Sequence, residues 1–510
     1  MDILETDKLN IATKTKLGVC QIKNTAIINS LDNVKITKVL TVSAKPRIEN
    51  VSVVNAEIKF DGVVEYDLLV ALENSEIVPF TQKSNFTQVF ENAEITPETI
   101  VNIYPELIEL NDVSSMNGDI AYSTLVNFEI YAIGINSSVS CAKPLDNIFS
   151  KESEISYNVL GGDIVYDATI NFEIPKDSKV NKVLFVNSFA SIKSIIPSNG
   201  YFVASGDIYS SIIYQSDDGL IKSINKETSF SEEIENQNVN KESVIQTCIS
   251  TKETIVVENS DKNSFGFDTP IQIIAQIYNK STKSCIVDAF SLTHEVNLTT
   301  VSFEEDEFVT TRQAEENIIT NFVLADNIPI VDKILAIAPI NISIVNQIVK
   351  SGELLLEGIA TINLIYYFED DDGNNILNSI DVEVPYSLSI PIQDLGETDK
   401  VITKIILGDI SIKNKRGKEL EILAEAKINY DIIKSNVSAL TTSICLGEEK
   451  QPKDYALEIY LAKEGQTLWD VAKELNIATT DIVNQNSDLT LPLTAGENII
   501  AYRQRQVDFE

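Results

Sequence analysis

A chain of 510 residues is too long for a single hydrophobic core and predicts three or four domains. Its 44% apolar and 23% charged side chains are ordinary for folded globular protein and give no reason to expect disorder. With 76 acidic against 40 basic side chains the formal charge is −36, which disfavours nucleic acid and anionic lipid as partners.

The first residues, Met1-Asp2-Ile3-Leu4-Glu5-Thr6-Asp7-Lys8, are acidic and lack a continuous apolar segment, which argues against a secretory signal. No stretch approaches the ~20 uninterrupted apolar residues of a membrane span. The five cysteines, Cys20, Cys141, Cys248, Cys285 and Cys445, are scattered and include no Cys-x-x-Cys pair. An odd number cannot pair completely within one chain, and buried free thiols in a reducing compartment are expected.

Further along, the chain repeats itself. Lys38-Val39-Leu40-Thr41-Val42 returns as Lys182-Val183-Leu184-Phe185-Val186 and as Lys333-Ile334-Leu335-Ala336-Ile337. A glycine stands at nearly constant distance after each start: Gly62, Gly206 and Gly358. Each glycine opens an apolar, β-branched run containing tyrosine (Tyr66; Tyr209 and Tyr214; Tyr366 and Tyr367), the composition of a strand. The glycine itself is expected at a bulge or a close backbone approach. Pro79-Phe80, Ser229-Phe230 and Pro385-Tyr386 punctuate the chain after each tyrosine run. The second half of each repeat is also strand-like; from Ala424 to Ile432 apolar and polar residues alternate, which predicts a strand with one wet face. No sustained 3.6-residue stripe occurs in the first ~445 residues. Repeats this long exceed solenoid units, so each is expected to be a complete β domain.

Several motifs that invite chemistry read better as turns or loops. Glu369-Asp370-Asp371-Asp372-Gly373-Asn374-Asn375 fails the calcium-loop pattern, with Phe368 and Ser379 where carboxylates are required. Like Ser216-Asp217-Asp218-Gly219, it fits a hairpin turn. Gly161-Gly162 is expected at a turn between strands, and Glu304-Glu305-Asp306 in a solvated loop. His294 is the only histidine, so a multi-histidine metal site is excluded, and it reads as a surface or satisfied side chain. Neither a Gly-x-Ser-x-Gly elbow nor a phosphate-binding Gly-rich loop is present. No catalytic residue, cofactor or metal is expected.

After Cys445 the texture changes. Residues 447–454 are polar and read as a linker. Leu457-Glu458-Ile459-Tyr460-Leu461 is a strand. Thr467 and Asp470 form a capping-box signature ahead of a helix that buries Leu468, Val471, Ala472 and Leu475. Asn476 caps its end, and Thr479 or Thr480 starts a second short helix that Asn486-Ser487-Asp488 terminates. The strand Asn498-Ile499-Ile500-Ala501-Tyr502 closes a β-α-α-β unit. Trp469, the only tryptophan, either packs against a neighbouring strand or contributes to a partner surface.

Gly465-Gln466-Thr467-Leu468-Trp469-Asp470-Val471-Ala472, with Ile482, Asn486 and Gly496, resembles the LysM family. That family binds N-acetylglucosamine-containing glycans between the loop before the first helix and the loop after the second. The resemblance implies a binding surface made of Gly465, Gln466, Thr467, Leu468 and Trp469 facing Asn486, Ser487, Asp488 and Leu489. The family's usual aspartate is replaced by Gln466, and its branched apolar residue near the end by Ala501. The three upstream repeats resemble the SPOCS family of sporulation proteins. The fold implied is mainly β: SPOCS-like domains at 1–147, 148–290 and 291–446, a linker at 447–454 and a βααβ LysM domain at 455–503. This order resembles spore-coat morphogenetic proteins. It implies a non-enzymatic assembly adaptor in the mother-cell cytoplasm that docks through its LysM domain to a SpoIVA-like coat ATPase at the forespore surface. A peptidoglycan or other glycan binder, and a passive coat component, remain alternatives.

Overall fold

The computed structural model describes residues 6–28, 35–74, 76–114, 120–134, 138–175, 180–259, 264–370, 372–416, 418–451 and 457–502. The ends of the chain, part of the expected linker (452–454) and Asp371 of the acidic turn lie outside them. The described residues are mainly strand, with two short helices near the C-terminus. None of these helices is long and apolar enough to cross a membrane.

Three units of like design succeed one another. In the first, β3 (Ile36–Val54), β4 (Glu57–Leu72) and β5 (Ile77–Glu91) form one antiparallel sheet. The facing sheet places β7 (Ile120–Ile133) between β2 (Lys14–Ile28) and β6 (Ile100–Ser114). In the second, β10 (Val180–Pro197), β11 (Tyr201–Ser216) and β12 (Ile221–Glu235) face β15 (Ser264–Phe290), which β9 (Phe149–Pro175) flanks on one side and β13 (Val244–Thr251) and β14 (Ile255–Asn259) on the other. In the third, β18 (Lys333–Lys350), β19 (Glu353–Glu369) and β20 (Asn375–Pro391) face β22 (Glu419–Glu449), flanked by β17 (Arg312–Val323) and β21 (Lys400–Arg416). Each pair of sheets closes on its own apolar core. Phe60, Tyr66 and Phe128 are central in the first, Phe202, Ile271 and Ile273 in the second, and Leu354, Ile362 and Ile422 in the third. Burying each such side chain contributes about 1.5–3 kcal/mol.

The repeated sequence motif has a repeated structural cause. Pairing slips by one residue between Val39 and Thr41, Val183 and Phe185, and Ile334 and Ala336. The extra residue of each β-bulge is therefore Leu40, Leu184 or Leu335, the leucine of the motif. A bulge re-aims a side chain, and these three leave their own sandwiches to meet in one core with Leu69, Ile213 and Ile365. The motif thus encodes packing between units. The glycines are equally consistent. A Cβ at Gly62, Gly206 or Gly358 would land on the carbonyl oxygen of Arg47, Ser191 or Ser343, beside a second bulge. On the other side Phe86, Phe230 and Tyr386 cover them, within 2.6–2.8 Å of that absent Cβ. The aromatic of the first repeat is therefore Phe86, opposite Gly62, and not Phe80.

Beyond the sandwiches the chain extends as three two-stranded arms. They are β1 (Thr6–Asn10) with β8 (Ser138–Ala142), the first half of β9 with the second half of β15, and β16 (His294–Phe308) with the end of β22. The arms pack on one another through Leu9, Cys141, Tyr157, Cys285, Phe303 and Leu440. Three local expectations change here. Gly161-Gly162 is no turn; it lies inside β9, where Gly161 is the extra residue of a bulge opposite Ile277 and Tyr278. Glu304-Glu305-Asp306 is no loop; it lies in β16, and the buried Asp306 accepts hydrogen bonds from the Lys14 N–H (2.8 Å) and Ser435 Oγ (2.9 Å). Residues 447–449 of the expected linker are the last of β22. The Asp-Gly turns behave as expected, with Gly219 and Gly373 both at φ +79° between hairpin strands. Of the cysteines, only Cys141 and Cys285 are buried; Cys445 is exposed.

Candidate functional site

The C-terminal module runs β23 (Leu457–Leu461), α1 (Leu468–Leu475), α2 (Thr479–Gln485), β24 (Asn498–Tyr502), with the two strands antiparallel. Local chemistry sets its boundaries. Thr467 sits extended ahead of α1, its Oγ1 accepting from the Asp470 N–H, while Asp470 Oδ2 accepts from the Thr467 N–H (2.8 Å), so two otherwise unmet donors are satisfied. The Thr467 N–H and hydroxyl, both donating to Asp470 Oδ2, hold this carboxyl below its ordinary value. Asn476 ends α1 in the left-handed conformation (φ 57°), as asparagine tolerates. The residue capping α2 is Ala478, with no side-chain bond; Thr479 is already helical. Val471, Ala472, Leu475, Ile482, Ile499 and Ala501 form the module's core.

That core continues into the body. Phe290 at the end of β15 belongs to it, with Phe149 and Leu292 alongside. The Trp469 ring meets Phe290 edge-on at 4.9 Å between centroids, and its Nε1–H donates to Asp288 Oδ2 at 2.8 Å. Lys473 Nζ pairs with Asp288 Oδ1 at 2.7 Å. Burial opposes ionisation of Asp288, but Lys473, the Trp469 N–H and the Ala289 N–H outweigh it and keep the carboxyl below its ordinary value. Asn476 Nδ2 donates to the Leu292 carbonyl (2.7 Å), and Lys450 Nζ bridges the Ser291 carbonyl and Asn476 Oδ1. Trp469 therefore faces a strand of its own chain, 181 residues away in sequence.

The remaining expected site residues divide by what their polar atoms do. Gln466 is half-buried and bonded within the module: its Oε1 accepts from the Tyr460 hydroxyl and the Lys463 N–H, and its Nε2 donates to Glu474. Asn486 staples α2 to β24, donating to the Ile482 and Ile500 carbonyls and accepting from the Ile500 N–H. Gly465, Thr467, Ser487 and Asp488 are exposed, and Leu468 and Leu489 reach down to the common core from the two loops. Polar loop atoms over a small apolar floor suit shallow, weak recognition.

Sequence reasoning missed a larger feature. The apolar residues of β23 point away from the helices. Leu457, Ile459 and Leu461 are 55–65% exposed, and their neighbours Tyr502 and Ile500 on β24 are 56% and 43% exposed. The alternation was readable, but period two cannot say which face is inward.

Also unforeseen is a cavity of about 470 Å³ where the three units meet, lined from β3, β6, β10, β13, β18, β21 and β22. The polar face expected to be wet between Ala424 and Ile432 turns toward the neighbouring units. Asn429 bonds Ser191 and both backbone groups of Ile192, and Lys427 pairs with Glu315 and Glu425. Beside the cavity Lys14 is buried, its ammonium donating to Tyr104 (3.2 Å), Gln246 (3.2 Å) and Gln276 (2.9 Å). Burial pushes Lys14 down, against the pull of Asp431; burial pushes Asp431 up to about 6, against Lys14 and the Thr311 hydroxyl. Among the described residues no group of three or more His, Cys, Asp and Glu is placed to hold a metal ion. Comparison with family models, curated proteins and solved structures finds no match to this chain.

Proposed function

We propose that the chain is a non-enzymatic assembly adaptor: a three-unit β body carrying a C-terminal protein-docking module. The observation that supports this best is the exposed apolar face of Leu457, Ile459, Leu461, Ile500 and Tyr502. A contiguous apolar strip beside charged and polar loops suits a protein partner better than a hydrated sugar. The polar atoms of Gln466 and Asn486 are already bonded within the module, which leaves few side-chain groups for orienting an acetamido sugar. Trp469 and Lys473 hold the module against the body, so this face is presented in a fixed direction.

The sequence order resembles coat-morphogenetic proteins of the SipL type. On that resemblance the partner is a SpoIVA-like coat ATPase, and the site of action is the mother-cell face of the forespore. The glycan reading keeps one supporting feature, the exposed Gly465, Thr467, Ser487 and Asp488. Full-length protein is assayed for capture of a purified SpoIVA-like ATPase and for sedimentation with purified peptidoglycan. Capture that Ile459→Lys abolishes while thermal stability stays within about 0.5 kcal/mol supports the adaptor. Sedimentation with peptidoglycan, unaffected by Ile459→Lys, would replace it with the glycan reading.

A further inference from the structure

Two of the five cysteines share one buried core. Cys141 lies on β8 and Cys285 on β15, 144 residues apart, the same spacing that separates Lys38 from Lys182. They occupy related places in the arms of the first and second units. Both are at most 3% exposed, and both belong to the buried core where the arms converge. Phe303 and Leu440 supply the third arm's contribution to this core. Asp7, the register partner of Cys141, pairs with Lys283 (2.6 Å) on the second arm and Lys143 (3.3 Å) on the first, so ion pairs tie the strands together beside the thiols.

We propose that Cys141 and Cys285 form an intramolecular disulfide when the protein meets a two-electron oxidant of the hydroperoxide class, locking the arms of the first two units together. The balance is simple. One thiol sulfur takes an oxygen from the peroxide to become a sulfenic acid, releasing one water. The second sulfur attacks it, the S–O bond breaks, and a second water leaves. Two thiols lose two electrons and two protons, and one peroxide becomes two waters. Burial, together with the Cys141 thiol, pushes Cys285 up to about 12. Its thiolate is therefore scarce at neutral pH, and cross-linking is slow there and faster in alkali. The consequence reaches the docking module, because Asp288 and Phe290, which hold Trp469, lie just beyond Cys285 on the same strand.

The test treats the folded full-length protein with hydrogen peroxide at pH 8, blocks residual thiols with N-ethylmaleimide, and maps peptides without reduction. The expected product is a monomer with a Cys141–Cys285 linked peptide, reversed by dithiothreitol, whose apparent Tm rises by about 3–5 °C. The Cys445→Ser variant should keep this link. A map in which Cys141 and Cys285 stay unlinked while other cysteines oxidise, or a link formed only after unfolding in urea, would overturn the proposal.

Discussion

Trp469 is the single tryptophan of the chain, so its fluorescence reports directly on how the module sits against the body. Asp288→Ala removes the acceptor of the indole N–H (2.8 Å) and the partner of Lys473 (2.7 Å). A hydrogen bond to a charged group contributes about 1.5–3 kcal/mol when buried. The Asp288 side chain is 27% exposed, which lowers this to about 1–2 kcal/mol; Lys473 is 47% exposed, so its ion pair adds only about 0.5 kcal/mol. The sum, roughly 1.5–2.5 kcal/mol, shifts the docked-to-undocked ratio by about 10- to 70-fold. The contacts left are the Phe290 edge, the Asn476 bond to Leu292 and the Lys450 bridge. Adding Phe290→Ala removes the largest of them. The expected result is a red-shifted emission and greater acrylamide quenching, small in Asp288→Ala and large in the double variant, with the β circular-dichroism signal unchanged. Because Asp288 is held below its ordinary value, its contribution is fully present above pH ~4 and is lost as pH falls through the folded pKa. Wild-type emission should therefore be flat from pH 5 to 8. Folded variants whose emission and quenching match wild type would refute the docking.

Gly206→Ala should cost about 2–4 kcal/mol, read as a lowered Tm, because its Cβ meets the Ser191 carbonyl and the Phe230 ring. Gly219→Ala, with φ +79° and open space around it, should cost only about 1 kcal/mol. Asp431→Asn should flatten stability against pH. With a folded value of about 6, above the unfolded ~3.9, wild-type Asp431 favours the fold most below pH ~4 and loses that contribution as pH rises through 6. The difference between variant and wild type, measured by urea unfolding, should grow by on the order of 2–3 kcal/mol from pH 4 to 7.5, and an unchanged difference would contradict the burial argument.

Legibility in the sequence divides along a physical line. The Lys-[Val/Ile]-Leu starts, the spaced glycines and the Thr467–Asp470 box were legible because bulges, close approaches and caps are local and repeat with their residues. The tyrosines misled in part: Tyr214 and Tyr366 both stand eight residues after their glycines, but Val70 takes that place in the first unit. The partners of Lys14, Asp306 and Trp469 were not legible, since those contacts join residues from 90 to 292 positions apart. The alternation at 424–432 fixed which side chains share a face. Whether that face meets water depends on neighbouring units, and here Lys427 and Asp431 are buried, Lys427 over the Tyr209 ring of the second unit and Asp431 within the pull of Lys14 of the first.

Divergence among the three units explains where the module attaches. The first arm is made of separate short strands, β1 and β8, and in the third β16 is separate from β17. Among the described residues, only in the second unit do both strands, β9 and β15, run unbroken for 27 residues from sandwich to tip. At ~3.3 Å per residue that is roughly 90 Å of continuous ladder if straight. A two-stranded ribbon alone is marginal in water, but this one is an extension of a sandwich and is packed between two other arms. Its tip ends in the stacked pair Phe149 and Phe290, 5.2 Å apart, on which Trp469 rests. The first and third arms break their ladders below the tip and offer no such unbroken support. Docking on the second arm therefore transmits the orientation of a whole β unit to the module, and with it the direction in which Ile459 and its neighbours face.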